Sequence, residues 1–390
     1  MSLNTIIGQA ARGDKYFPRP RITNEILSKL DSGSNLLLVA PRRVGKSSIV
    51  LNLYDNPPER FIVIYYFSES VNSENEFFKK MLHHLWERFS GVQKYKSMLA
   101  TGAKEFSSYI ESIGLDGVNF RQNSSVDYYE ELKKFLKVVP DKTRIVVFID
   151  EYASTVENII RDESKSAAIH FLASNRSLRQ APEVQGKIQF VYAGSIGLEN
   201  IVGRMNCINL INDLAPVNIP PLNEEEAKRL TDKILESSGI CFADNAFDYL
   251  CSTIEWLIPY YLQITLDEAY QILPLYKPAN VITKAIIDES IKNALAKRIY
   301  FEHWFTRLRS AYSGDEFRFI KDLLNQITAK RTLSSSEIID LAFKYNLSDS
   351  YNDLVNSLKH DGYINNSDSS KIYRFNSYLL REWWNANVAN

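Results

Sequence analysis

Residues 36–51 read LLLVAPRRVGKSSIVL, an apolar run, a short basic loop and a second apolar run. The loop has the spacing G-x-x-x-x-G-K-[ST], with Ala40 in the place of the first glycine. A strand that ends in such a loop turns backbone N–H groups inward, and the helix that follows adds its positive dipole end. Residues 40–48 therefore predict a phosphate-binding loop, called the P-loop below. Ala40 is compatible with it provided that its φ is negative.

Three residues of the P-loop have separate expected roles. Gly45 lets the backbone approach the phosphates, Lys46 reaches the β- and γ-phosphates, and Ser47 offers its hydroxyl to Mg²⁺. Arg42 and Arg43 have two interpretations: solvated loop charges, or contacts to a nucleotide or a neighbouring subunit. The expected nucleotide-binding set in this loop is Ala40, Pro41, Arg42, Arg43, Val44, Gly45, Lys46, Ser47 and Ser48.

A second apolar run, residues 145–149, is followed directly by Asp150 and Glu151. Uncompensated charges beside a buried strand are costly, so paired acids at this point indicate a function. We expect Asp150 to hold the water shell of Mg²⁺ and Glu151 to polarise the attacking water as a general base. The alternative interpretation of Asp150 is an ordinary helix N-cap.

A third apolar run, residues 190–193, leads into Gly194 and Ser195. If its strand lies next to the P-loop strand, Ser195 would orient the water or bind the γ-phosphate. Ser195 thus joins Lys46 and Glu151 as a candidate catalytic residue. The alternative is an ordinary Gly-Ser turn.

The first 220 residues predict an α/β fold. The expected strands show little alternation of apolar and polar residues, which is typical of parallel strands buried on both faces. They alternate with helical patterns such as residues 74–89 and 126–138, so we expect right-handed crossovers. The strands are predicted at residues 35–39, 61–67, 144–149, 187–193 and 216–219.

From residue 222 onwards the pattern becomes helical. Asn223 and Glu226 predict a capping box that opens a helix over residues 224–236. Further helices are expected at 245–256, 260–272, 282–295, 300–312, 315–327, 335–345 and 349–360. A hairpin is predicted at 361–375. The predicted domains are therefore a P-loop ATPase domain (1–221), an all-helical lid (222–312) and a winged helix (313–390).

The three motifs together resemble those of archaeal and bacterial ATPases of the STAND class, which are related to AAA+ and origin-recognition ATPases. The resembling segments are APRRVGKS at 40–47, FIDE at 148–151 and AGS at 193–195. The resemblance spans nearly the whole chain and implies a P-loop domain, a helical lid and a C-terminal winged helix.

The resemblance also implies roles outside the three motifs. FPRPR at 17–21 stands where the family has a Gly-Arg-Glu box. LIPYYL at 257–262 is similar to a Gly-x-Pro motif whose proline, here Pro259, reaches the nucleotide. The alternative for Pro259 is a proline in the first turn of a helix. Arg179 and Arg204 are both candidates for an arginine finger, and a surface charge is the alternative for each.

Composition excludes several classes of protein. The 390 residues carry a net charge of -1, with 45% hydrophobic and 24% charged residues, so no global charge favours nucleic acid or an anionic membrane. We see neither a membrane-spanning apolar run nor a signal-peptide core, and expect a cytoplasmic protein without a membrane partner. Cys207, Cys241 and Cys251 have no C-x-x-C spacing, which speaks against a disulfide scaffold or a zinc site.

The C-terminal region lacks the charge that DNA affinity requires. Residues 312–390 hold nine Lys and Arg against ten Asp and Glu. Phosphate neutralisation dominates DNA affinity, so a protein partner is favoured over DNA. In residues 349–360, Tyr351, Leu354, Val355 and Leu358 are expected to face the core. The basic cluster consists of Lys330, Arg331, Lys371 and Arg374.

These observations support one leading hypothesis. The protein is expected to be a slow ATPase that binds Mg²⁺ with ATP or ADP, and whose lid and winged helix move with nucleotide state. A guanine-type Asn-Lys-x-Asp motif is absent, which favours adenine. The alternatives are an ATP-dependent DNA loader of the origin or transposon type and a non-hydrolysing nucleotide-bound scaffold. A nucleotide-dependent oligomer is open in each case.

Overall fold

Two units account for the residues that the computed structural model describes, which are 3–90, 110–114, 117–120, 126–140, 142–194 and 197–389. The sheet unit comprises Pro18–Ala40 and Lys46–Ile219. The helical unit comprises Met1–Phe17, Pro41–Gly45 and Pro220–Asn390. The tip of the P-loop therefore groups with the helical unit, while its two flanks belong to the sheet unit.

The sheet unit is built on five parallel strands in the order β2-β5-β6-β1-β7. β3 and β4 form a separate antiparallel hairpin. The strands are β1 (Leu36–Val39), β2 (Ile62–Phe67), β3 (Ile110–Gly114), β4 (Gly117–Phe120), β5 (Ile145–Asp150), β6 (Ile188–Ala193) and β7 (Ala215–Asn218). The predicted parallel α/β sheet is confirmed, and each of its five strands lies within two residues of its predicted bounds.

Helices cover the sheet because its central strands are apolar except for Asp150 at the end of β5 and Gln189 in β6. Every residue of β5 and β6 is buried. This burial on both faces explains why the sequence shows no alternation in these runs. The helices of the sheet unit are Pro20–Asp31, Lys46–Asp55, Glu74–Ser90, Tyr128–Val138, Tyr152–Asp162, Lys165–Gln180 and Leu198–Arg204.

The strand order determines which loops meet. β6 pairs with β1 on one side and with β5 on the other. Parallel strands place their carboxyl ends on one edge of the sheet, where α/β proteins bind ligands. The P-loop after β1 and the acidic pair at the end of β5 are therefore on the same edge, on either side of the end of β6.

In the helical unit, all eight helices predicted from residue 222 onwards are confirmed. Asn223 accepts a hydrogen bond from the backbone of Glu226, whose side chain accepts one from Asn223 in return, so the predicted capping box is present. Its helices are Glu224–Leu235, Ala246–Ile254, Pro259–Ile272, Lys284–Ala296, Glu302–Ala311, Gly314–Lys330, Ser335–Lys344, Tyr351–His360 and Tyr378–Asn387.

The prediction of an all-helical segment at 222–312 is wrong in one detail. β8 (Cys241–Phe242) and β9 (Val281–Ile282) pair in parallel. Two-residue strands carry no periodicity that a sequence pattern can show, and their partners are far apart in the chain. Only the tertiary packing brings them together.

The C-terminal part of the helical unit contains the predicted hairpin and two elements that were not predicted. β11 (Ile364–Asn365) and β12 (Ile372–Phe375) form the hairpin, and β10 (Leu333–Ser334) adds to the other edge of β12. The final helix, Tyr378–Asn387, buries Leu379, Leu380, Trp383 and Trp384. On the helix Tyr351–His360, Leu354, Val355 and Leu358 are buried as expected, while Tyr351 is half-buried. The division at residues 221 and 312 stays a prediction.

Gly362, which precedes β11, has no room for a side chain. Its φ is +88°, and an added Cβ would collide with the indole of Trp256 and lie 3.2 Å from Cβ of Pro41. We expect Gly362→Ala to lower the free energy of unfolding by about 2–5 kcal/mol, from left-handed strain plus overpacking. Chemical denaturation measures it.

Gly239 is the matched control for this prediction. Its φ is +70°, but an added Cβ would meet nothing within 4 Å. Gly239→Ala should therefore cost only the backbone strain, about 1–2 kcal/mol. Equal losses for both variants would show that the contact with Trp256 adds nothing.

Candidate nucleotide-binding site

The P-loop has two residues with positive φ, Gly45 and Arg43, and only the glycine is indicated by the sequence. Gly45 has a φ of +93°, and a Cβ there would meet nothing within 4 Å, so open space faces this glycine. Ala40 is not among the described residues with positive φ, which satisfies the condition for replacing the first glycine. Arg43 is left-handed as well, with a φ of 67°. The helix Lys46–Asp55 begins directly after the loop.

Lys46, Ser47, Asp150 and Glu151 come together in the sheet unit. The hydroxyl of Ser47 donates to Oδ2 of Asp150 at 2.7 Å. Nζ of Lys46 lies 3.4 Å from Oδ1 of Asp150 and 3.7 Å from Oε1 of Glu151. The two carboxylates thus share one ammonium group, and the side chains of the two motifs lie in contact with one another.

Asp150 is enclosed by donors. Its side chain is 1% exposed. Oδ2 also accepts from the hydroxyl of Tyr65 at 3.2 Å, and Oδ1 accepts from the backbone N–H of Glu151 at 3.1 Å. The helix that follows starts at Tyr152, with Glu151 and not Asp150 at its N-cap position. The N-cap interpretation of Asp150 therefore does not describe this carboxylate.

Glu151 adopts a backbone conformation that is rare for its residue type. Its φ is 58° and its ψ 32°, in the left-handed region. Such a residue costs on the order of 1–3 kcal/mol and persists where the surroundings demand it. The side chain accepts from the hydroxyl of Ser154 at 3.4 Å and lies beside Lys46. The turn after β5 therefore presents a second carboxylate next to the first.

The residues fit a magnesium ion and a triphosphate. Mg²⁺ prefers oxygen ligands, binding through one or two protein groups plus substrate phosphates. The hydroxyl of Ser47 and the carboxylate of Asp150 are such ligands, and they are already in contact. Lys46 is 7% exposed and paired with two carboxylates, so a buried positive charge is available to bind phosphate. Among the described residues, no group of three or more His, Cys, Asp and Glu side chains is arranged to hold a metal ion by itself.

Arg43 is not the solvated loop charge of the first interpretation, and its contact with a nucleotide or a neighbouring subunit stays a prediction. Within the helical unit its guanidinium lies 4.6 Å from the ring centre of Tyr260. Burial lowers the pKa of Arg43, and also that of His303, which falls to about 3 with the charges of Arg43 and Arg42 contributing. A guanidinium over an aromatic face is stabilised by a cation–π contact. The side chain of Arg43 is thus fixed by a contact with Tyr260 of the same chain.

The other predicted site residues have mixed outcomes. Pro259 is the first residue of the helix Pro259–Ile272, as in the alternative interpretation, and its contact with a nucleotide stays a prediction. Arg19 is buried directly before the helix Pro20–Asp31. The strand before Ser195 does lie next to β1. Ser195 itself lies outside the described residues.

Arg179 is not placed to act as an arginine finger, because its guanidinium is used inside the sheet unit. Nε and Nη2 donate to the two carboxylate oxygens of Asp213 at 2.7 and 2.8 Å. Nη1 donates to the hydroxyl of Tyr192 at 3.1 Å, and Nη2 also to the carbonyl of Leu210 at 2.8 Å. The side chain is 2% exposed. Arg204, which ends the helix Leu198–Arg204, stays a candidate.

Sequence reasoning missed three residues that contact candidate residues: Tyr65 contacts Asp150, Tyr260 contacts Arg43, and Asp213 contacts Arg179. Tyr65 stands in an apolar strand and reads as one more hydrophobic residue. Asp213 follows no strand and precedes no helix. Tyr260 was noted only as a neighbour of Pro259. The one available signal was a tyrosine hydroxyl within an apolar strand, and Tyr66 next to it carries the same group.

Comparison with solved structures bears on the fold. The structure of the Walker-type ATPase paby2304 of Pyrococcus abyssi superposes with a TM-score of 0.63 and 17% identity, covering 97% of this chain and 99% of that one. This chain has the fold of a P-loop ATPase. The ORC2 protein of Aeropyrum pernix, solved as ADPNP–ADP complexes, gives a TM-score of 0.54 and 12% identity, covering 95% of this chain and 93% of that one. No family model and no curated protein sequence matches the chain.

The P-loop ATPase fold extends over both units, since each solved structure covers nearly all of the chain. In the part of the chain that the structure describes, no helix combines the length and apolar character needed to cross a bilayer.

Proposed function

We propose that this protein binds Mg-ATP at the P-loop, hydrolyses it slowly, and works as a nucleotide-dependent regulatory switch. The observation that carries the proposal is the meeting of Lys46, Ser47, Asp150 and Glu151 after a loop that is open at Gly45. These groups come from two distant segments of the chain, since Ser47 and Asp150 are 103 positions apart. Burying charged groups is costly, so their convergence here supports a site that binds a charged ligand.

Each side chain has one task in this proposal. Lys46 leaves the carboxylates and binds the β- and γ-phosphates, while Ser47 and Asp150 hold the magnesium. Bound Mg²⁺ neutralises charge on the phosphate oxygens. Glu151 accepts the proton of the attacking water. Backbone N–H groups of residues 41–48 and the start of the helix Lys46–Asp55 favour the phosphate charge.

The switch part of the proposal concerns the helical unit. We take residues 222–312 as the lid and 313–390 as a winged helix, both changing position with nucleotide state. In support, Arg43 belongs to the P-loop and yet lies on Tyr260, in the first turn of the helix Pro259–Ile272. A loop that rearranges around phosphate would change this contact. A conformational change needs such a differential interaction between states.

A protein partner fits the helical unit better than DNA. Three members of the basic cluster are paired with carboxylates: Lys330 with Glu337, Arg331 with Glu382 and Arg374 with Asp368. Paired cations release fewer counterions on meeting phosphate, which weakens the main source of DNA affinity. We therefore keep a DNA-loading role second to a protein-directed one. A cytoplasmic location and a nucleotide-dependent oligomer are further parts of this proposal.

Calorimetry with Lys46→Ala tests the nucleotide site. Removing a buried charged donor to phosphate should weaken Mg-ATP binding about 10- to 100-fold, since hydrogen bonds to charged groups contribute about 1.5–3 kcal/mol each. Lys80→Ala is the control, because Lys80 is 40% exposed and pairs with Glu76 on the same helix. Unchanged Mg-ATP affinity in Lys46→Ala, or no binding by the wild type, would contradict the proposal.

A further inference from the structure

One donor to Asp150 comes from a strand that neither motif includes. Tyr65 lies on β2, and its hydroxyl donates to Oδ2 of Asp150 at 3.2 Å. Tyr65 pairs in register with Phe148, two residues before Asp150, and side chains two apart in a strand share a face. The ring therefore reaches diagonally along the sheet to the carboxylate.

The donors on Asp150 divide into two kinds. Ser47 and Lys46 belong to the P-loop, and in the proposed function both turn to the ligand: the hydroxyl to magnesium and the ammonium to phosphate. The backbone N–H of Glu151 and the hydroxyl of Tyr65 have no such second task. When the P-loop groups engage the nucleotide, these two remain to hold one carboxylate oxygen each.

The ring of Tyr65 is itself supported. It is half-buried, with its centre 6.2 Å from that of Tyr54 on the helix Lys46–Asp55. The ring of Tyr54 is in turn covered by the guanidinium of Arg88, which lies 5.5 Å from its centre. Aromatic pairs at such distances add to packing, and a packed ring keeps its hydroxyl in one place.

We infer that Tyr65 is a positioning residue for the metal site: it holds the carboxylate of Asp150 in the orientation that binds magnesium when Ser47 and Lys46 leave it. The inference rests on the proposed function. Tyr65 touches neither nucleotide nor metal in this account, and acts only through Asp150. Preorganised ligands bind more tightly because less ordering remains to be done on binding.

The test compares Tyr65→Phe with Tyr66→Phe. The hydroxyl of Tyr66 donates to the carbonyl of Phe77 at 3.2 Å, on the opposite face of the same strand. The two variants therefore remove the same atom from neighbouring positions, and only one removal affects Asp150. Chemical denaturation of the ligand-free proteins first establishes that both variants fold.

The decisive readout is the metal-linked gain in binding, taken as the Kd of ATP in EDTA divided by the Kd of ATP with excess Mg²⁺. Calorimetry gives both constants without turnover. We expect Tyr65→Phe to reduce this ratio about tenfold, the scale of a lost hydrogen bond to a charged acceptor. Its Kd for metal-free ATP should match the wild type. Tyr66→Phe should keep the wild-type ratio even if its stability falls.

The possible outcomes distinguish a failure of the Tyr65 inference from a failure of the proposed function. A wild-type ratio in Tyr65→Phe overturns the inference and leaves the proposed function intact. An equal loss in both tyrosine variants also overturns it, because the effect would then be a general loosening of β2. A wild type that binds no ATP, or gains nothing from Mg²⁺, overturns the proposed function and the inference together, and is recognised without any variant.

Discussion

Glu151→Gln is expected to lower ATP turnover by about 10²- to 10⁴-fold, the range for removing a positioned general base. Glutamine has the same shape, so the left-handed backbone at φ 58° carries no new strain. Its amide cannot accept the proton of the attacking water. Because Lys46 and Ser47 keep their contacts with Asp150, Mg-ATP should still bind with nearly the wild-type Kd. Single-turnover assays with calorimetry separate the two quantities.

Glu157→Gln is the control for this prediction. Glu157 lies further along the helix Tyr152–Asp162, so the variant carries the same change of charge away from Lys46. It should leave turnover unchanged. If the wild type and Glu151→Gln release phosphate at the same rate, Glu151 is not the base. A wild type that retains nucleotide without releasing phosphate would favour the non-hydrolysing scaffold.

Arg179→Met is expected to lower the free energy of unfolding by about 3 kcal/mol, at the lower end of the cost of breaking a buried ion pair. The loss arises because the groups that Arg179 binds would be left without its hydrogen bonds. Asp213, whose side chain is 20% exposed, would lose both bonds from the guanidinium, and the carbonyl of Leu210 and the hydroxyl of Tyr192 would each lose one. Denaturant titration at neutral pH measures the loss.

Arg176→Met provides the comparison on the same helix. Arg176 acts on Asp213 only through its charge, and so should cost under about 1 kcal/mol, as surface charges do. Turnover per folded molecule should be unchanged in both variants. A loss of turnover in Arg179→Met at unchanged stability would restore Arg179 as an arginine finger and contradict the structural role.

The same ion pair makes stability depend on pH. Burial acts to raise the pKa of Asp213, but the hydrogen bonds and charge of Arg179 outweigh it and hold that pKa below its ordinary value. A lowered pKa in the folded state contributes stability above the unfolded value of about 3.9. That contribution is lost as the pH falls through the lowered pKa. The pH dependence of unfolding in this acid range should therefore be shallower in Arg179→Met.

The local sequence pattern predicted the structural elements correctly where the interactions that form them join residues close in the chain. The strands of the sheet were predicted within two residues because each is a short apolar run bounded by polar residues. The capping box at Asn223 was predicted because its two hydrogen bonds join residues three apart. The left-handed conformation of Arg43 and Glu151 was missed, since φ above zero is signalled by glycine and neither residue is one.

By itself the sequence determined the candidate site residues: a glycine, a lysine and a serine at fixed spacing after one strand, and two acids at the end of another. It also determined the α/β alternation that places them on one edge of a sheet. Only the tertiary structure decided three contacts. Tyr65 donates a hydrogen bond to Asp150, Arg179 forms an ion pair with Asp213, and Arg43 packs on the ring of Tyr260. The physical reason is distance along the chain. Such contacts join residues from 34 to over 200 positions apart, where the packing of whole elements, and not any local periodicity, brings side chains within reach.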